Sequence, residues 1–370
     1  MLFPLRQTTD TLAGSAPVVN GSFSFQITRE FFLDSLLLKI PVTCSVPGAA
    51  PQLKGMGLID LIKNVNLTIS DGSNNRAVVN ASGGALVRRA STILNGLDIY
   101  SNGNPGTLQC TAPFFNYLSA INPGILINGI TFLITIPLLF KHPQLSDPIG
   151  SATMLPLPRY NANPVLTVQL GGPADILNSG TLGVTFGTPR LVNNKRQVDN
   201  VSFPTIDIEF KEIVTPITST GTNIRQKFDI PGSYTAIDIY TTDLTGLAGD
   251  LSGGGIFSLQ YLSNVLRQFQ LQDLKIANQY SMGNDAYFLQ TNATVSDLFP
   301  GYYHLDFLHD GFGMEVGEMG SLLNTNLLAG SGAELEILQS WGALGNVAYA
   351  SERFFGDLSP FALNIQSSVG

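Results

Sequence analysis

An all-β fold arranged as two similarly ordered halves is what this sequence predicts, and three observations carry the prediction. Glycine and proline are abundant, 38 and 21 of 370 residues, above the usual combined share of about 12%, which favours turns and short strands over long helices. Segment after segment alternates apolar and polar residues with a period of two, the pattern of a strand with one buried face. The alternating segments then recur in the same order in the second half of the chain.

The elements follow from the N-terminus. Residues 1–21 predict an irregular arm, because Pro4, Gly14, Pro17 and Gly21 punctuate a stretch without sustained periodicity. Strands are expected around Phe23–Ile27 and Leu36–Val42. In LIDLIKNVNLTIS, Val65, Leu67 and Ile69 alternate up to a turn at Asp71-Gly72-Ser73-Asn74, giving a strand followed by a hairpin. Leu86, Ala90, Ile93 and Leu94 stand near helical spacing after a Gly-Gly start and predict a short helix within 80–95.

The uncharged run from Ile121 to Phe140 is long enough to be a candidate spanning helix. Asn122, Pro123, Gly124, Asn128, Gly129 and Pro137 break it, which a helix tolerates badly. Its second part, Ile130–Phe140, alternates Phe132, Ile134 and Ile136 with Thr131, Leu133 and Thr135, and so predicts a buried strand. PVLTVQL at 164–170 and PTIDIEFKEIV at 204–214 alternate as well, the latter with Ile206, Ile208 and Phe210 opposite Asp207, Glu209 and Lys211, so that one face is wet.

TPITSTGTN at 215–223 is polar and turn-rich and reads as the linker between halves. Beyond it, Phe228 and Ile230 of KFDI match Phe25 and Ile27 of SFQI, and 236–241 matches Leu36–Val42. Val65-Asn-Leu67 is matched to Phe269-Gln-Leu271, the strand from Thr131 to Tyr302–Leu308, and Val165–Gln169 to Glu334–Leu338. The expected organisation is an arm at 1–21, a first β-domain at 22–216 and a second at 217–370.

Charged residues are only 12% of the chain, about half the ~25% of an average soluble domain. A surface so poor in charge suits broad contacts with other protein, and a surface of Asn, Thr, Ser and Gln is the alternative. The net charge of −8 and pI near 4.8 argue against an electrostatic nucleic-acid binder; Arg88-Arg89 and Lys195-Arg196, the densest basic stretches, are too short for a phosphate track. Cys44 and Cys110 lack the spacing of a metal or redox motif. No secretory signal is expected from MLFPLRQTTD, so the glycosylation patterns at Asn66, Asn80, Asn200 and Asn292 read as coincidence.

Candidate chemistry is sparse. His142, His304 and His309 are the three histidines. His304 and Asp306 share one face of a strand, the spacing with which jelly-roll iron(II) sites begin, but such a site needs another histidine from a distant strand and none follows His309. The competing reading is a polar strand end near a loop. Gly311, Gly313 and Gly317 lack the spacing of a phosphate loop and read as a turn. Trp341 and the aromatic entry Pro300-Gly-Tyr-Tyr303 read as packing. No catalytic, cofactor-binding or metal residue is assigned, and no enzyme activity is expected.

The ordered segments FSFQITREFFLDSLLLKIPVT, GLIDLIKNVNLTISDGSNN, ITFLITIPLLF, PTIDIEFKEIV, SLQYLSNVLRQFQLQDLKI, FPGYYHLDFLHDG and AELEILQSW span most of the chain. In order and spacing the chain resembles the double jelly-roll major capsid proteins of internal-membrane icosahedral viruses, of the tectivirus and corticovirus type in the adenovirus hexon lineage. The resemblance implies two consecutive eight-stranded jelly-roll β-sandwiches with a few short helices. It implies a homotrimer with a nearly hexagonal outline that tiles an icosahedral shell in the virion. The expected partners are copies of itself, penton or minor capsid proteins and an internal lipid membrane, without a cofactor and without direct nucleic-acid binding. The short arm at 1–21 lacks a basic or amphipathic helix, which departs from membrane attachment through that segment. An all-β carbohydrate-binding or adhesin-like protein, marked by an exposed aromatic platform, and a jelly-roll enzyme dependent on His304 and Asp306 remain open at this point.

Overall fold

The computed structural model describes residues 4–48, 51–54, 57–72, 74–93, 107–110, 129–143, 145, 149–198, 205–221, 223–229, 232–261, 264–274, 288–291, 294–297, 301–307, 323–324 and 335–355. The chain divides into two compact units, Met1–Lys211 and Glu212–Gly370. The first holds β1 (Pro4–Ala13), β2 (Ser22–Gln26), β3 (Phe32–Ser45), β4 (Gln52–Leu53), β5 (Ile62–Asp71), β6 (Asn74–Ala81), helix α1 (Gly83–Ile93), β7 (Thr107–Cys110), β8 (Ile130–Leu139), β9 (Leu155–Pro156), β10 (Val165–Leu170), β11 (Leu177–Ser179), β12 (Gly183–Phe186) and β13 (Arg190–Val198). The division falls inside β14 (Asp207–Ile217), somewhat before the expected position at 216/217. The second unit continues with β15 (Asn223–Phe228), β16 (Ser233–Asp243), β17 (Ile256–Tyr261), β18 (Asn264–Gln270), β19 (Phe288–Thr291), β20 (Thr294–Asp297), β21 (Tyr302–Asp306), β22 (Leu323–Asn324), β23 (Leu335–Ser340) and β24 (Gly345–Phe355).

In the first unit one sheet runs β1-β13-β3-β8-β7, with β9 and β12 also on β3, and the other runs β2-β10-β5-β6-β14. The period of two in the sequence is what builds both. On β3, Leu36, Leu38, Ile40, Val42 and Cys44 are buried while their neighbours are half-buried. Opposite them in register stand Leu138, Ile136, Ile134, Phe132 and Ile130 of β8. Phe25, Val65, Leu67, Leu166, Val168, Ile208 and Phe210 are the buried side chains of the other sheet.

The predicted helix is α1. Ser82 caps it, its Oγ accepting from the Ala85 N–H at 3.1 Å. Gly83 is required there, since a Cβ would lie 2.6 Å from that of Ile62. The hairpin at 71–74 closes the ladder between β5 and β6, with Gly72 at φ +64°. Ile130–Phe140 forms strand β8 as expected, and 121–128 lies outside the described residues. No helix among the described residues is long and apolar enough to cross a membrane.

In the second unit β24-β16-β21, with β22 on β16, and β15-β23-β17-β18 form the two sheets. Tyr234, Ile237, Ile239, Phe257, Leu259, Leu305, Leu335, Ile337, Trp341, Val347 and Tyr349 belong to its core. Five antiparallel strand pairings of the first unit recur here. β2 pairs with β10 as β15 does with β23, β10 with β5 as β23 with β17, and β5 with β6 as β17 with β18. β3 pairs with β8 as β16 does with β21, and β13 with β3 as β24 with β16.

Two expectations need correction. Val65–Leu67 had been matched to Phe269–Leu271, but the pairings make β17 the counterpart of β5 and leave β18 as that of β6. Short apolar segments of period two look alike, so order alone misplaced the match by one strand. Residues 4–13, expected to be irregular, form β1, paired along β13 from Pro4↔Val198 to Ala13↔Arg190. The described side chains of β1 are exposed or half-buried, so no apolar alternation marks the strand. Its anchors are the ladder, a bond from Thr9 Oγ1 to Asn194 Oδ1 at 3.1 Å, and Asp10, 3.5 Å from the buried ammonium of Lys195.

Leu38 lies between Ile136 and Leu191 and is fully buried. Leu38→Ala is expected to cost about 2–5 kcal/mol in urea unfolding, whereas Leu244→Ser, at a side chain 72% exposed, should stay within about 0.5 kcal/mol.

Candidate functional site

Alternation along β16 sends Ile237 and Ile239 into the core of the second unit and sets Asp238 on the opposite face. Asp238 is nevertheless 4% exposed. Antiparallel pairing places His304 of β21 directly across from it, with Ala236 across from both Asp306 of β21 and Glu352 of β24. The result is a buried polar cluster of three carboxylates and one imidazole, drawn from three adjacent strands.

His304 Nδ1 lies 2.5 Å from Asp238 Oδ1, and its Nε2 lies 3.9 Å from Asp306 Oδ2. Tyr302 donates its hydroxyl to the same Asp238 oxygen at 2.9 Å. Glu352 accepts from Thr235 Oγ1 at 2.9 Å. Burial, the largest single influence on His304, disfavours its charged form. The charge and hydrogen bond of Asp238, followed by the charges of Asp306 and Glu352, outweigh it and raise the imidazole above its usual 6.5.

Both ring nitrogens are thus turned toward carboxylates. The ring is fastened between β16 and β21, and the neighbouring carboxylates favour its charged form. The sequence placed His304 and Asp306 on one face of a strand, with a polar strand end near a loop as the competing reading; in the structure they share β21 and lie in a buried cluster. Among the described residues no group of three or more His, Cys, Asp or Glu side chains is arranged to hold a metal ion. Asp238 and Glu352 were not singled out from sequence. Their only signal is an acid inside an apolar strand, which reads equally as a solvated face.

The other residues singled out are placed as follows. Trp341 is 1% exposed in the second unit's core, and Tyr302 and Tyr303 are also buried. Arg88 and Arg89 are buried on α1. Lys195 is buried, and Arg196 pairs with Asp34 at 2.5 Å. His142 is buried, with its N–H donating to Thr153 Oγ1 at 2.9 Å. Cys44 is buried in β3, and Cys110 ends β7. His309, Asp310, Pro300, 311–317 and the patterns at Asn200 and Asn292 lie outside the described residues.

The surface shows a second feature. Val265 and Leu266, at 52% and 41% exposure, stand next to each other on the edge strand β18, while Ile256, at 53%, opens β17 opposite Gln270 at the other end of the ladder.

Two β-sandwich units with the same strand pairing, following one another in one chain, define an all-β double jelly-roll fold. The major capsid protein of Sulfolobus Turreted Icosahedral Virus has this fold, with TM-score 0.63 and 13% identity over 99% of this chain and 100% of that one. So do the major capsid protein P2 of bacteriophage PM2, with TM-score 0.53 and 10% identity over 94% and 97% of the two chains, and the PBCV-1 capsid chain, with 0.54 and 10% over 94% of each. No protein-family model matches the chain, and no curated protein matches it in sequence.

His304 supplies a pH test with a definite sign. A pKa raised on folding contributes stability that is fully present below about pH 6.5 and is lost as pH rises through the folded value. His304→Gln should cost on the order of 3 kcal/mol at pH 6 by leaving Asp238 without its cation. The gap between wild type and variant should narrow in urea unfolding as the pH is raised from 6 to 9.

Proposed function

We propose that this chain is a major capsid protein. Three copies associate into a pseudo-hexagonal capsomer, capsomers tile an icosahedral shell in the virion, and the shell encloses an internal membrane. The observation that carries the reading is the end-to-end match of both units, in one chain, to a capsid protein of the same extent. A single β-sandwich recurs in many functions, whereas two consecutive jelly rolls filling a whole chain give the rotational redundancy from which three chains make six similar walls.

The surface agrees with that role. Only 12% of residues are charged, and several of those, including Asp238, His304, Glu352, Arg88, Arg89 and Lys195, are buried. What remains outside is mostly neutral, as extended protein contacts favour. Burial of Arg88, Arg89 and Lys195 also removes them from any exposed basic track for nucleic acid. Contacts with penton or minor capsid proteins belong to the same reading.

A carbohydrate-binding role is disfavoured by one observation: Trp341, Tyr302 and Tyr303, the aromatic side chains that would have made a stacking platform, are each 1% exposed.

Light scattering after gel filtration should give a particle of three times the 39.6 kDa chain mass, with a hexagonal outline in negative stain. A 39.6 kDa species at every concentration would overturn the trimer.

A further inference from the structure

One difference between the two units concerns the edge of β6 and of its counterpart. In the first, the free edge of β6 is covered by β14, which runs parallel to it with Phe210↔Val79 and Lys211↔Asn80 in register. In the second, the counterpart of β6 is β18, and among the described residues no strand lies on its outer edge. This edge strand carries Val265 and Leu266, both more than 40% exposed. An edge strand with exposed apolar side chains is a template for another strand.

The repeat also identifies what would fit. β14 is the strand that leads into β15, and its second half belongs to the second unit, where it neighbours β24. β1 leads into β2 in the same manner and lies on β13, the counterpart of β24. β1 and β14 are therefore equivalent leading strands. β14 has neighbours on both sides, while among the described residues no strand lies on the outer edge of β1. β1 is also held firmly enough to act as a template: Lys195, 1% exposed, has Asp10 of β1 as its carboxylate at 3.5 Å and Thr28 Oγ1 at 2.6 Å. Detaching β1 would leave a buried ammonium without its counter-charge.

We infer that the outer edge of β18 receives β1 of a second copy in parallel register, reproducing between copies the pairing that β6 and β14 make within one. This rests on the self-assembling reading above and names the surface that assembly uses. β1, ten residues long, offers ample length for the seven of β18. Main-chain bonds would supply the pairing, and burial of Val265 and Leu266 its apolar part. Applied around a ring, one such contact per copy closes a cyclic oligomer in which every β1 and every β18 has a partner strand.

The test is photo-crosslinking from benzoylphenylalanine placed at Thr9, and separately at Thr11, both exposed side chains of β1. The expected product has twice the 39.6 kDa chain mass, with the adduct mapped by peptide mass spectrometry to 264–270. Adducts confined to one chain, or intermolecular adducts elsewhere, would overturn the inference. In parallel, the double substitution Val265→Lys and Leu266→Lys changes two exposed positions and should leave the thermal melt intact while weakening oligomerisation roughly tenfold or more. A folded variant that oligomerises like wild type sinks the inference and leaves the capsid reading standing. A wild type that is monomeric throughout removes both.

Discussion

Register is the constraint on which the rest of this structure depends. β3 lies between β13 and β8, and β16 between β24 and β21. In each central strand alternate residues define the buried face, so a slip of one residue would turn Leu36, Leu38 and Ile40, or Ile237 and Ile239, away from the core. The apolar ladder Leu36↔Leu138, Leu38↔Ile136 and Ile40↔Ile134 makes any such slip costly in the first unit. The second unit adds a polar lock on the other face, because Asp238 meets His304 only when Ala236 meets Asp306. A slipped register would bury three carboxylates without their cation.

The same pairing pattern in both units carries more weight than any sequence match between them. Five antiparallel pairings recur with the same partners in the same order, an arrangement that follows directly if one sandwich was duplicated. Duplication also explains why each unit is preceded by a strand lying on its last strand. An independent all-β pair of domains would share alternation but would not be obliged to share such a leading strand.

Period-two alternation made most of the fold legible, because it reports burial directly: β2, β3, β5, β8, β10 and β14 all fall where the sequence placed strands. β1 was not legible. The described side chains of β1, at 9–13, are exposed or half-buried, and its ladder partner lies far along the chain at 190–198, so nothing local records the pairing. The polar cluster was half legible. His304 and Asp306 are two residues apart on one strand, and their shared face follows from the pleat. Asp238 is 66 residues from its histidine, and only the pairing of β16 with β21 brings them together. The boundary between units was displaced because TPITSTGTN has linker composition, yet Thr215–Ile217 continues β14 as a strand.

The low charge content takes on a different meaning once the charges are located. A chain with few ionisable groups would ordinarily keep them outside, where water solvates them at no cost. Here Lys195, Asp238, His304, Asp306, Glu336, Glu352 and Arg353 are all less than 9% exposed, which withdraws them from the exterior. Pairs such as His304–Asp238 are shielded from solvent and respond weakly to salt, so the internal fastening of each unit is insulated from ionic strength. The association proposed through the edge carrying Val265 and Leu266 would depend on burial instead of charge pairing. Folding and the proposed association would then draw on different interactions: charge is used inside, to fix register, and apolar side chains stand outside, where a second molecule would cover them.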